Sequence, residues 1–366
     1  MVKKNKEVQG TDVIESTESN DLTESTKDLV EDKLLAEQVE QLKALDKLLS
    51  SSCKGAYSGT YMKGNHQQVT YVPTGCPSLD KLLVGWPLGR VIECRGGFSS
   101  GKSTLSLFLI GAMQRAGYIN MLIDAEAVYT EEYGQACGVD NNSLIYLRPN
   151  TMEDCIEAIR IGLNSGLIKF IWIDSLSALV PNNEVSKDVG EGTLAIRARL
   201  MSTYLPQIVN LCAKHAASVI WLNQERTTNI GGYGPSKSGT GGKALPYYAS
   251  LILETSKDGY IEEGANKVGH NMKIKVTKSK LSAKPFTEVT LPINYPNSDK
   301  SVGVDVTQDV INQAVSLGIV EKRASWVLYK DIKEQGFTNF SNLIISNKEL
   351  FEEIKTDVVH KLKNPE

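Results

Sequence analysis

The chain of 366 residues is 41% hydrophobic and 23% charged, proportions typical of a globular protein with one large core and a smaller domain. Its six cysteines and four histidines are scattered, without a CxxC pair, so a zinc site is excluded and reduced thiols are expected. Of the net charge of −3, residues 1–33 carry −4, which leaves +1 elsewhere and excludes nucleic-acid binding by a global positive field.

The N-terminal region differs in composition from the rest of the chain. Residues 1–28 are rich in Ser, Thr, Asn, Glu and Asp, which predicts a disordered acidic tail. Apolar residues then recur at helical spacing from Leu29 to Leu49 and predict an amphipathic helix. With the following Gly- and Ser-rich stretch, residues 29–66 are expected to form a helix and linker. No apolar run has the length of a signal peptide or a membrane span, so a cytoplasmic protein without membrane contact is expected.

Residues 67–298 alternate apolar strands with helical patterns, which predicts an α/β core with a mostly parallel sheet covered by helices. Strands are predicted at 91–95, 119–125, 169–174, 218–223, 250–255, 272–278 and 286–293. Helices are predicted at 103–115, 152–164 and 193–216. Pro206 is expected to kink or end the last of these helices. Residues 299–366 mix short helices with the aromatic segment "SWVLYKD" and predict a small C-terminal α/β domain.

The strand "RVIEC" leads into "RGGFSSGKSTL", in which Gly96, Gly101, Lys102 and Ser103 match the phosphate-binding P-loop pattern. A helix begins directly after the loop, so backbone N–H groups and the helix dipole converge on an anion. Lys102 is predicted to neutralise the β- and γ-phosphates, and Ser103 to ligate Mg²⁺. The alternative is an ordinary glycine-rich turn.

Carboxylates and amides follow three of the other predicted strands. In "MLIDAE", Asp124 and Glu126 are expected to share one face, where a carboxylate can deprotonate the water that attacks the γ-phosphate; the alternative is a helix cap or surface charge. Asp174 ends "FIWIDS" and is predicted to hold Mg²⁺. "SVIWLNQ" ends at Gln224, which is predicted to sense the γ-phosphate.

A glycine-rich stretch, "NQERTTNIGGYGPSKSGTGGKALP", begins at this predicted sensor. Connections of this length are uncommon in compact domains and are usually either disordered or functional. A bare flexible loop is the alternative to a binding loop that becomes ordered with a partner.

The motifs "PTGCPSLDKLL", "GGFSSGKSTL", "LIDAE", "IWIDSLSALVP", "RARLMS", "TGGKALPYYAS" and "KVTKSK" occur in one order. In order and spacing they resemble the bacterial RecA recombinase family over roughly residues 30 to 350. The resemblance implies a RecA-type P-loop ATPase core, an N-terminal helix that docks on the neighbouring subunit and a small C-terminal domain. It also implies ATP and Mg²⁺ as cofactors and a helical filament on single-stranded DNA.

Site residues are carried over from the family by position. Glu126 falls on the catalytic glutamate, Gln224 on the allosteric glutamine and Tyr133 on the aromatic residue that stacks on adenine. Lys278 and Lys280 fall on lysines that reach the neighbouring subunit's ATP. Without the resemblance, solvent-exposed lysines at the end of a strand are an equally good interpretation. The predicted nucleotide contacts of the loop and helix are Gly96, Gly97, Phe98, Ser99, Ser100, Gly101, Lys102, Ser103 and Thr104.

The resemblance also assigns two DNA-binding loops. The first is "SKDVGEGTLAI", with Arg199 following on a helix. The second is the glycine-rich stretch after Gln224, where glycines permit backbone approach to phosphates and an apolar residue can wedge between bases. The DNA-binding residues predicted there are Arg226, Ile230, Tyr233, Thr240, Gly241 and Gly242.

Four positions depart from the family pattern. Phe98 replaces an acid in the loop, Thr130 replaces an aspartate near adenine, and Pro206 and Pro246 replace basic residues. The C-terminus lacks the family's acidic tail, while an acidic segment lies at the N-terminus. These differences indicate a divergent member, of the kind carried by phages or plasmids.

The sequence thus predicts a DNA-dependent ATPase that polymerises on single-stranded DNA and catalyses pairing with homologous duplex DNA and strand exchange in DNA repair. One alternative is a RecA-like ring ATPase or regulator that acts on protein partners. Another is a filament partner that binds DNA or ATP without productive hydrolysis, against which the retained Glu126 argues. Stimulation of ATP hydrolysis by single-stranded DNA separates these hypotheses.

Overall fold

The computed structural model describes residues 38–45, 47–49, 51, 69–182, 193–228, 236–239 and 243–364. The chain divides into two units, Met1–Gln68 and Val69–Glu366. In the first unit every described residue is helical, as the apolar spacing between Leu29 and Leu49 predicts. The predicted acidic tail and the start of that helix lie outside the described residues.

The second unit is built on a large sheet. In chain order its described strands are β1 (Tyr71–Val72), β2 (Trp86–Pro87), β3 (Val91–Gly96), β4 (Ile119–Asp124), β5 (Leu144–Leu147), β6 (Ile168–Asp174), β7 (Ser218–Thr228), β8 (Ser236–Gly239), β9 (Leu251–Glu263), β10 (Asn266–Ser279), β11 (Glu288–Asn294), β12 (Gly303–Val304), β13 (Glu321–Arg323), β14 (Trp326–Tyr329) and β15 (Ile332–Gln335). Ten of them form one sheet in the order β12-β11-β10-β9-β3-β7-β6-β4-β5, with β8 paired to β7.

Six neighbouring strands of this sheet, from β9 to β5, are parallel, and β10, β11 and β12 extend it in antiparallel fashion. Parallel neighbours need crossover connections, which the helices supply. The predicted α/β fold with a mostly parallel sheet is therefore confirmed. Two smaller sheets, β1-β2 and β13-β14-β15, lie apart from it in the hydrogen-bond pattern.

The described helices of this unit lie between the strands and at the C-terminus. They are α1 (Pro77–Leu83), α2 (Lys102–Arg115), α3 (Glu131–Ala136), α4 (Met152–Asn164), α5 (Thr193–His215), α6 (Ala244–Tyr248), α7 (Val306–Ser316), α8 (Phe337–Ser346) and α9 (Lys348–Lys363). Capping residues in the sequence explain where two of them begin. Thr151 and Asp154 form a capping box at α4, and the side chain of Asn347 accepts from the backbone N–H of Leu350 at α9.

The two faces of the sheet carry separate apolar clusters. Along β6, Phe170 and Trp172 pack with helix α2 on one face, while Ile171 and Ile173 pack with α4 and α5 on the other. A third cluster is made by α7, α8, α9 and the β13-β14-β15 sheet, so the C-terminal domain has its own core. The predicted small C-terminal domain is present.

Several predicted boundaries were wrong. Helix α5 continues through Pro206, so of the two predicted outcomes the ending of the helix is wrong: a buried stripe that includes Met201, Leu205 and Ile208 packs on the sheet and outweighs one lost hydrogen bond. Strands β9 and β10 run on beyond the predicted 250–255 and 272–278 into a long hairpin whose polar residues carry no apolar periodicity.

The glycine-rich stretch after Gln224 also differs from the prediction. Strand β7 continues beyond the predicted residue 223 to Thr228 and pairs antiparallel with β8, so the described parts of the stretch on either side of residues 229–235 are strands. Backbone pairing supplies hydrogen bonds that the side-chain pattern does not reveal. Residues 229–235 and 240–242 lie outside the described residues.

Candidate functional site

Four strand ends define one edge of the sheet. In the parallel pairing Gly96 of β3 lies opposite Gln224 of β7, and Asp124 of β4 lies opposite Asp174 of β6. The carboxyl ends of β3, β7, β6 and β4 therefore meet at the same edge, where open α/β sheets bind ligands. We call this the P-loop edge.

Two glycines of the P-loop, Gly96 and Gly101, are required by their surroundings. A Cβ on Gly96 would lie 2.3 Å from the carbonyl oxygen of Thr255 in β9, and one on Gly101 would lie 2.7 Å from Cδ1 of Ile293. Gly101, with a φ of 91°, is the N-cap of α2 and provides no side-chain cap to the helix. The first N–H groups of α2 are thus directed to an external acceptor, as at phosphate-binding helix termini.

Lys102 folds back over the loop. Its Nζ donates to the carbonyl oxygens of Gly96 at 3.0 Å and Gly97 at 2.7 Å. Lys102 lines a cavity of about 230 Å³ together with the rest of the loop and with Glu126, Asp174 and Gln224. If a phosphate bound in this cavity, Lys102 could donate to its charged oxygens instead of to the two neutral carbonyls.

Ser103 and Asp174 form the pair that was predicted to hold Mg²⁺. The Ser103 hydroxyl donates to Oδ2 of Asp174 at 2.7 Å. Burial, followed by the carboxylates of Glu126 and Asp124, raises the pKa of Asp174 to about 6, against the pull of the Ser103 hydrogen bond. A cation placed here would favour the ionised carboxylate.

Asp124 adds a further oxygen beside this pair. Its Oδ2 accepts from the backbone N–H of Tyr129 at 2.9 Å and the hydroxyl of Tyr146 at 3.0 Å, while its Oδ1 is buried without a partner among the described residues. An unpaired buried carboxylate oxygen beside Asp174 suits a hydrated magnesium ion. The described residues contain no group of three His, Cys, Asp or Glu side chains arranged as a complete metal cage. The donors therefore fit an ion that completes its shell with phosphate and water.

Glu126 lies beyond the end of β4, which stops at Asp124 rather than at residue 125, so strand alternation does not place the two carboxylates on one face. The backbone N–H groups of Ala125 and Glu126 both donate to the carbonyl of Asp174. Oε1 of Glu126 accepts from the hydroxyl of Ser175 and, at 2.7 Å, from Nε2 of Gln224. Glu126 and Gln224, predicted as base and sensor, are thus directly hydrogen-bonded.

Sequence reasoning missed Ser175, Tyr129 and Tyr146. Ser175 is 1% exposed and orients Glu126, while the two tyrosine residues fix Asp124. The position of Ser175 directly after Asp174 was the only available signal. The tyrosines carry no signal, because their contacts with Asp124 depend on tertiary structure.

Tyr133 lies on helix α3, and its side chain reaches the first turn of helix α2; its stacking on adenine stays a prediction. Its hydroxyl is 2.9 Å from Oγ1 of Thr104, and Thr130 caps helix α3 by accepting from the backbone N–H of Tyr133. Burial raises the pKa of the Tyr133 hydroxyl. Thr130 thus has a structural role as a cap at the position where the family has an aspartate.

Lys278 and Lys280 are not at the P-loop edge. Lys278 of β10 pairs with Ile252 of β9, whereas Gly96 is level with Thr255, three residues or about 10 Å further along the sheet. The Lys278 ammonium is directed further away. It donates to the carbonyls of Pro246 at 2.5 Å and Tyr247 at 2.9 Å, and burial and Lys280 lower its pKa. We call this opposite edge the lysine edge.

Of the predicted DNA-binding residues, Arg199 is exposed on helix α5. The backbone of Arg226 lies in β7 opposite Ser238. The remaining predicted residues of the second loop, Ile230, Tyr233, Thr240, Gly241 and Gly242, lie outside the described residues, as does most of the first loop. Helices in the described part of the chain are too short or too polar to cross a membrane.

Comparison with known proteins adds a family match. A model of the RecA N-terminal domain matches residues 42–299, and a model of the RecA C-terminal domain matches residues 308–363. Protein RecA of Thermus thermophilus is 35% identical over 326 residues, covering 87% of this chain and 94% of the relative. Protein RecA of Acidothermus cellulolyticus is 34% identical over 334 residues, covering 90% and 95%. Protein RecA of Desulforapulum autotrophicum is 34% identical over 330 residues, covering 88% and 93%.

Proposed function

The chain belongs to the RecA family of DNA-dependent ATPases and recombinases, and we propose that it forms filaments on single-stranded DNA and there catalyses homologous pairing and strand exchange with duplex DNA. ATP and Mg²⁺ are the proposed cofactors. The proposed domains are a helix and linker at 29–66 after an acidic tail at 1–28, an ATPase core at 67–298 and a C-terminal domain at 299–366. The single observation that carries the proposal is the hydrogen bond between Glu126 and Gln224.

Glu126 would act as the base that accepts a proton from the attacking water. Ser175 and Gln224 both donate to its Oε1, which fixes the carboxylate and leaves Oε2 for the water. Lys102 and the N–H groups of α2 would hold the phosphates, and Ser103 and Asp174 would hold Mg²⁺ with its water shell. When bound, Mg²⁺ supplies charge neutralisation on the phosphate oxygens.

Gln224 connects the nucleotide to the DNA region. It lies on β7, and the same strand continues to Thr228 and pairs with β8; both strands belong to the proposed second DNA loop. A γ-phosphate that draws Nε2 of Gln224 away from Glu126 would shift this strand end and release Glu126 for water. Nucleotide state and DNA binding would thus be coupled through one side chain.

Self-association is supported by the separation of the P-loop edge from the lysine edge. Lys278 and Lys280 are directed away from the P-loop of their own chain, so they can reach phosphates only on another copy. A contact between two different edges of identical chains is head-to-tail and generates a ring or a helical filament. The exposed leucines Leu42, Leu45 and Leu48 of the N-terminal helix provide an apolar stripe for a neighbouring copy.

The test is ATP hydrolysis by the full chain with and without single-stranded DNA, combined with negative-stain imaging and a strand-exchange assay. We expect DNA to stimulate hydrolysis, and ATP with DNA to produce filaments that exchange strands. Hydrolysis that is indifferent to DNA, with rings in the images, would favour an ATPase acting on protein partners. DNA-bound filaments without hydrolysis would favour a structural filament protein.

A further inference from the structure

Asp124 at the P-loop edge has one carboxylate oxygen paired and the other unpaired. The residue is 2% exposed, and both of its donors, the backbone N–H of Tyr129 and the hydroxyl of Tyr146, bond to Oδ2. Oδ1 is buried and has no hydrogen-bond partner among the described residues. Burying an unpaired carboxylate oxygen costs stability, so an oxygen in this position is suited to a ligand or to bound water.

Asp124 lines a small cavity together with the pair proposed to hold Mg²⁺. This cavity, to which Ser103 and Asp174 also contribute, has a volume of about 120 Å³, which is large enough for several water molecules. Part of its wall is apolar and is formed by Leu107, Leu122 and Val128. Apolar walls lower the local dielectric and strengthen the attraction between a carboxylate and a cation. The cavity therefore suits a cation that keeps part of its water shell, as Mg²⁺ does.

Tyr146 reaches Asp124 from the neighbouring strand. In the parallel pairing of β4 with β5, Tyr146 lies opposite Leu122, two residues before Asp124. Residues two apart in a strand share one face of the sheet, so Tyr146 and Asp124 lie on the same face. The Tyr146 hydroxyl donates to Oδ2 of Asp124 at 3.0 Å. The register of two strands thus brings this donor to the carboxylate.

Tyr129 bonds to the same oxygen through its backbone and not through its side chain. Its N–H donates to Oδ2 of Asp124 at 2.9 Å, whereas its hydroxyl donates to Oδ1 of Asn141. The rings of Tyr129 and Tyr146 pack together, with 5.3 Å between their centroids and 32° between their planes. Of the two neighbouring hydroxyls, that of Tyr146 is therefore the one that orients Asp124.

We propose that Tyr146 is a positioning residue for Mg²⁺ and that it acts through Asp124. Its hydroxyl and the N–H of Tyr129 both hold Oδ2, which fixes the rotation of the carboxylate and keeps Oδ1 available to water beside Ser103 and Asp174. The inference rests on the proposed function, which places Mg²⁺ at those two residues. Replacing a residue that orients the surroundings of a metal commonly changes the metal affinity about tenfold to a hundredfold.

The carboxylate depends on these donors because its own torsion is soft. The terminal χ2 torsion of an aspartate has broad preferences, so hydrogen bonds decide where its two oxygens lie. Without the Tyr146 hydroxyl, the N–H of Tyr129 is left to hold Asp124. The groups proposed to hold the phosphates, Lys102 and the first N–H groups of α2, are not among the donors to this carboxylate. Loss of the hydroxyl should therefore weaken Mg²⁺ binding and leave metal-free nucleotide binding unchanged.

The first test measures how much Mg²⁺ the full chain needs to bind a fluorescent ADP analogue without DNA. The two readings are the Mg²⁺ concentration that gives half of the gain in nucleotide affinity, and the nucleotide affinity in excess EDTA. Tyr146→Phe should raise the Mg²⁺ concentration about tenfold and leave the affinity in EDTA unchanged. An affinity in EDTA that falls by the same factor would show that Tyr146 supports the whole site, and would overturn its role toward the ion.

The matched control is Tyr129→Phe. This change also removes one hydroxyl from the packed pair of rings, but it leaves both donors to Asp124 in place. We expect it to keep the Mg²⁺ requirement of the wild type. Equal shifts in both variants, or no shift in Tyr146→Phe, would overturn the inference while leaving the proposed function intact. If Mg²⁺ does not strengthen nucleotide binding by the wild type, the Mg²⁺ assignment and this inference are both wrong.

The second test is a double-mutant cycle with Mn²⁺ as the probe, in which electron paramagnetic resonance measures the free ion in the presence of ADP. Asp124→Asn keeps the size of the side chain and removes its charge. Because Tyr146 is proposed to act through Asp124, adding Tyr146→Phe to this variant should change the Mn²⁺ affinity about twofold or less, against about tenfold in the wild-type background. The same loss in both backgrounds would show that Tyr146 acts independently of Asp124 and would contradict the inference.

Discussion

The P-loop edge and the lysine edge of the sheet are built differently. At the P-loop edge, Lys102 donates to loop carbonyls, but the carboxylates bond to other side chains: Asp174 with Ser103, and Glu126 with Ser175 and Gln224. At the lysine edge, the ammonium groups bond to backbone carbonyls at the end of helix α6, beside exposed aromatic rings. One edge is organised within a single chain, and the other is directed outward.

The difference indicates which parts of the chemistry a single chain can supply. A preorganised network can bind phosphate and orient water before any partner arrives, because its dipoles are already fixed. The ammonium groups of Lys278 and Lys280 donate to neutral carbonyls and can exchange them for a charged acceptor, which at this edge would lie on another molecule. We therefore expect changes at the P-loop edge to act on every chain separately, and changes at the lysine edge to act between chains.

Lys102→Ala should have the largest effect and abolish ATP-dependent DNA binding. Loss of the ammonium group removes charge-assisted contacts to two phosphates at once. The measurement is fluorescence anisotropy of labelled single-stranded DNA with and without ATP. Lys102→Arg, which keeps the charge but changes its geometry, is the matched control and should retain part of the binding. ATP-dependent binding that survives in Lys102→Ala would refute the P-loop assignment.

Glu126→Gln should lower DNA-stimulated hydrolysis by a factor on the order of 10² or more while ATP and DNA remain bound. The amide oxygen can still accept from Gln224, but the group cannot take a proton from water. Single-turnover hydrolysis separates this effect from binding. Ser175→Ala, which removes only an orienting hydrogen bond, should show a smaller loss. Near-normal hydrolysis in Glu126→Gln would mean that another residue is the base.

Much of the fold could be predicted from the sequence because the large sheet is buried on both faces. Strands such as β6 then appear as continuous apolar runs, and helix α4 carries both a capping box and an apolar stripe. The hairpin of β9 and β10 and the pairing of β7 with β8 could not be predicted. Their residues are polar on both faces, and backbone pairing leaves no periodic signal there.

The candidate site was predictable where its residues lie next to one another in the chain. The P-loop from Gly96 to Ser103 is local, and Asp174 ends an apolar strand. The contacts of Asp124 with Tyr129 and Tyr146 join separate segments and have no local signature. The position of Lys278 relative to Gly96 depends on the register of three strands, so the sequence alone could not place the two at opposite edges.

Lys278→Ala/Lys280→Ala should lower DNA-stimulated hydrolysis by about tenfold to a hundredfold, on the order expected for removing groups that stabilise charge on a transferred phosphoryl group. Unlike the P-loop variants, this double variant should bind ATP normally as an isolated chain. Steady-state hydrolysis with DNA and equilibrium binding of a fluorescent ATP analogue measure the two quantities.

Mixing this double variant with Glu126→Gln tests whether the two edges act between chains. Where the first variant's Glu126 faces the second variant's lysines, the interface is complete, so mixed filaments should hydrolyse more ATP than either variant alone. A mixture of Glu126→Gln with Lys102→Ala is the control, since both changes lie at the same edge and no complete interface forms. Equal activity in both mixtures would contradict action between chains.

The smallest effect that we expect concerns the ion-free P-loop edge and its buried Asp174. Its pKa is raised from 3.8 to about 6, so between these values the unfolded chain binds fewer protons than the folded chain. The free energy of unfolding must then fall as pH rises from about 4 to about 6, by an amount on the order of 1 to 2 kcal/mol from this group. Asp174→Asn lacks this titration, so its stability relative to the wild type should rise over that window and level off above it. Urea unfolding without Mg²⁺ or nucleotide measures the difference in stability between variant and wild type, with Asp258→Asn, a change at an exposed residue, as control.

Mg²⁺ and ATP should remove this pH dependence of the stability of the wild-type protein, because a cation beside Asp174 stabilises its ionised form. If the difference in stability between Asp174→Asn and wild type does not change with pH, burial does not raise the pKa of Asp174 in the folded chain.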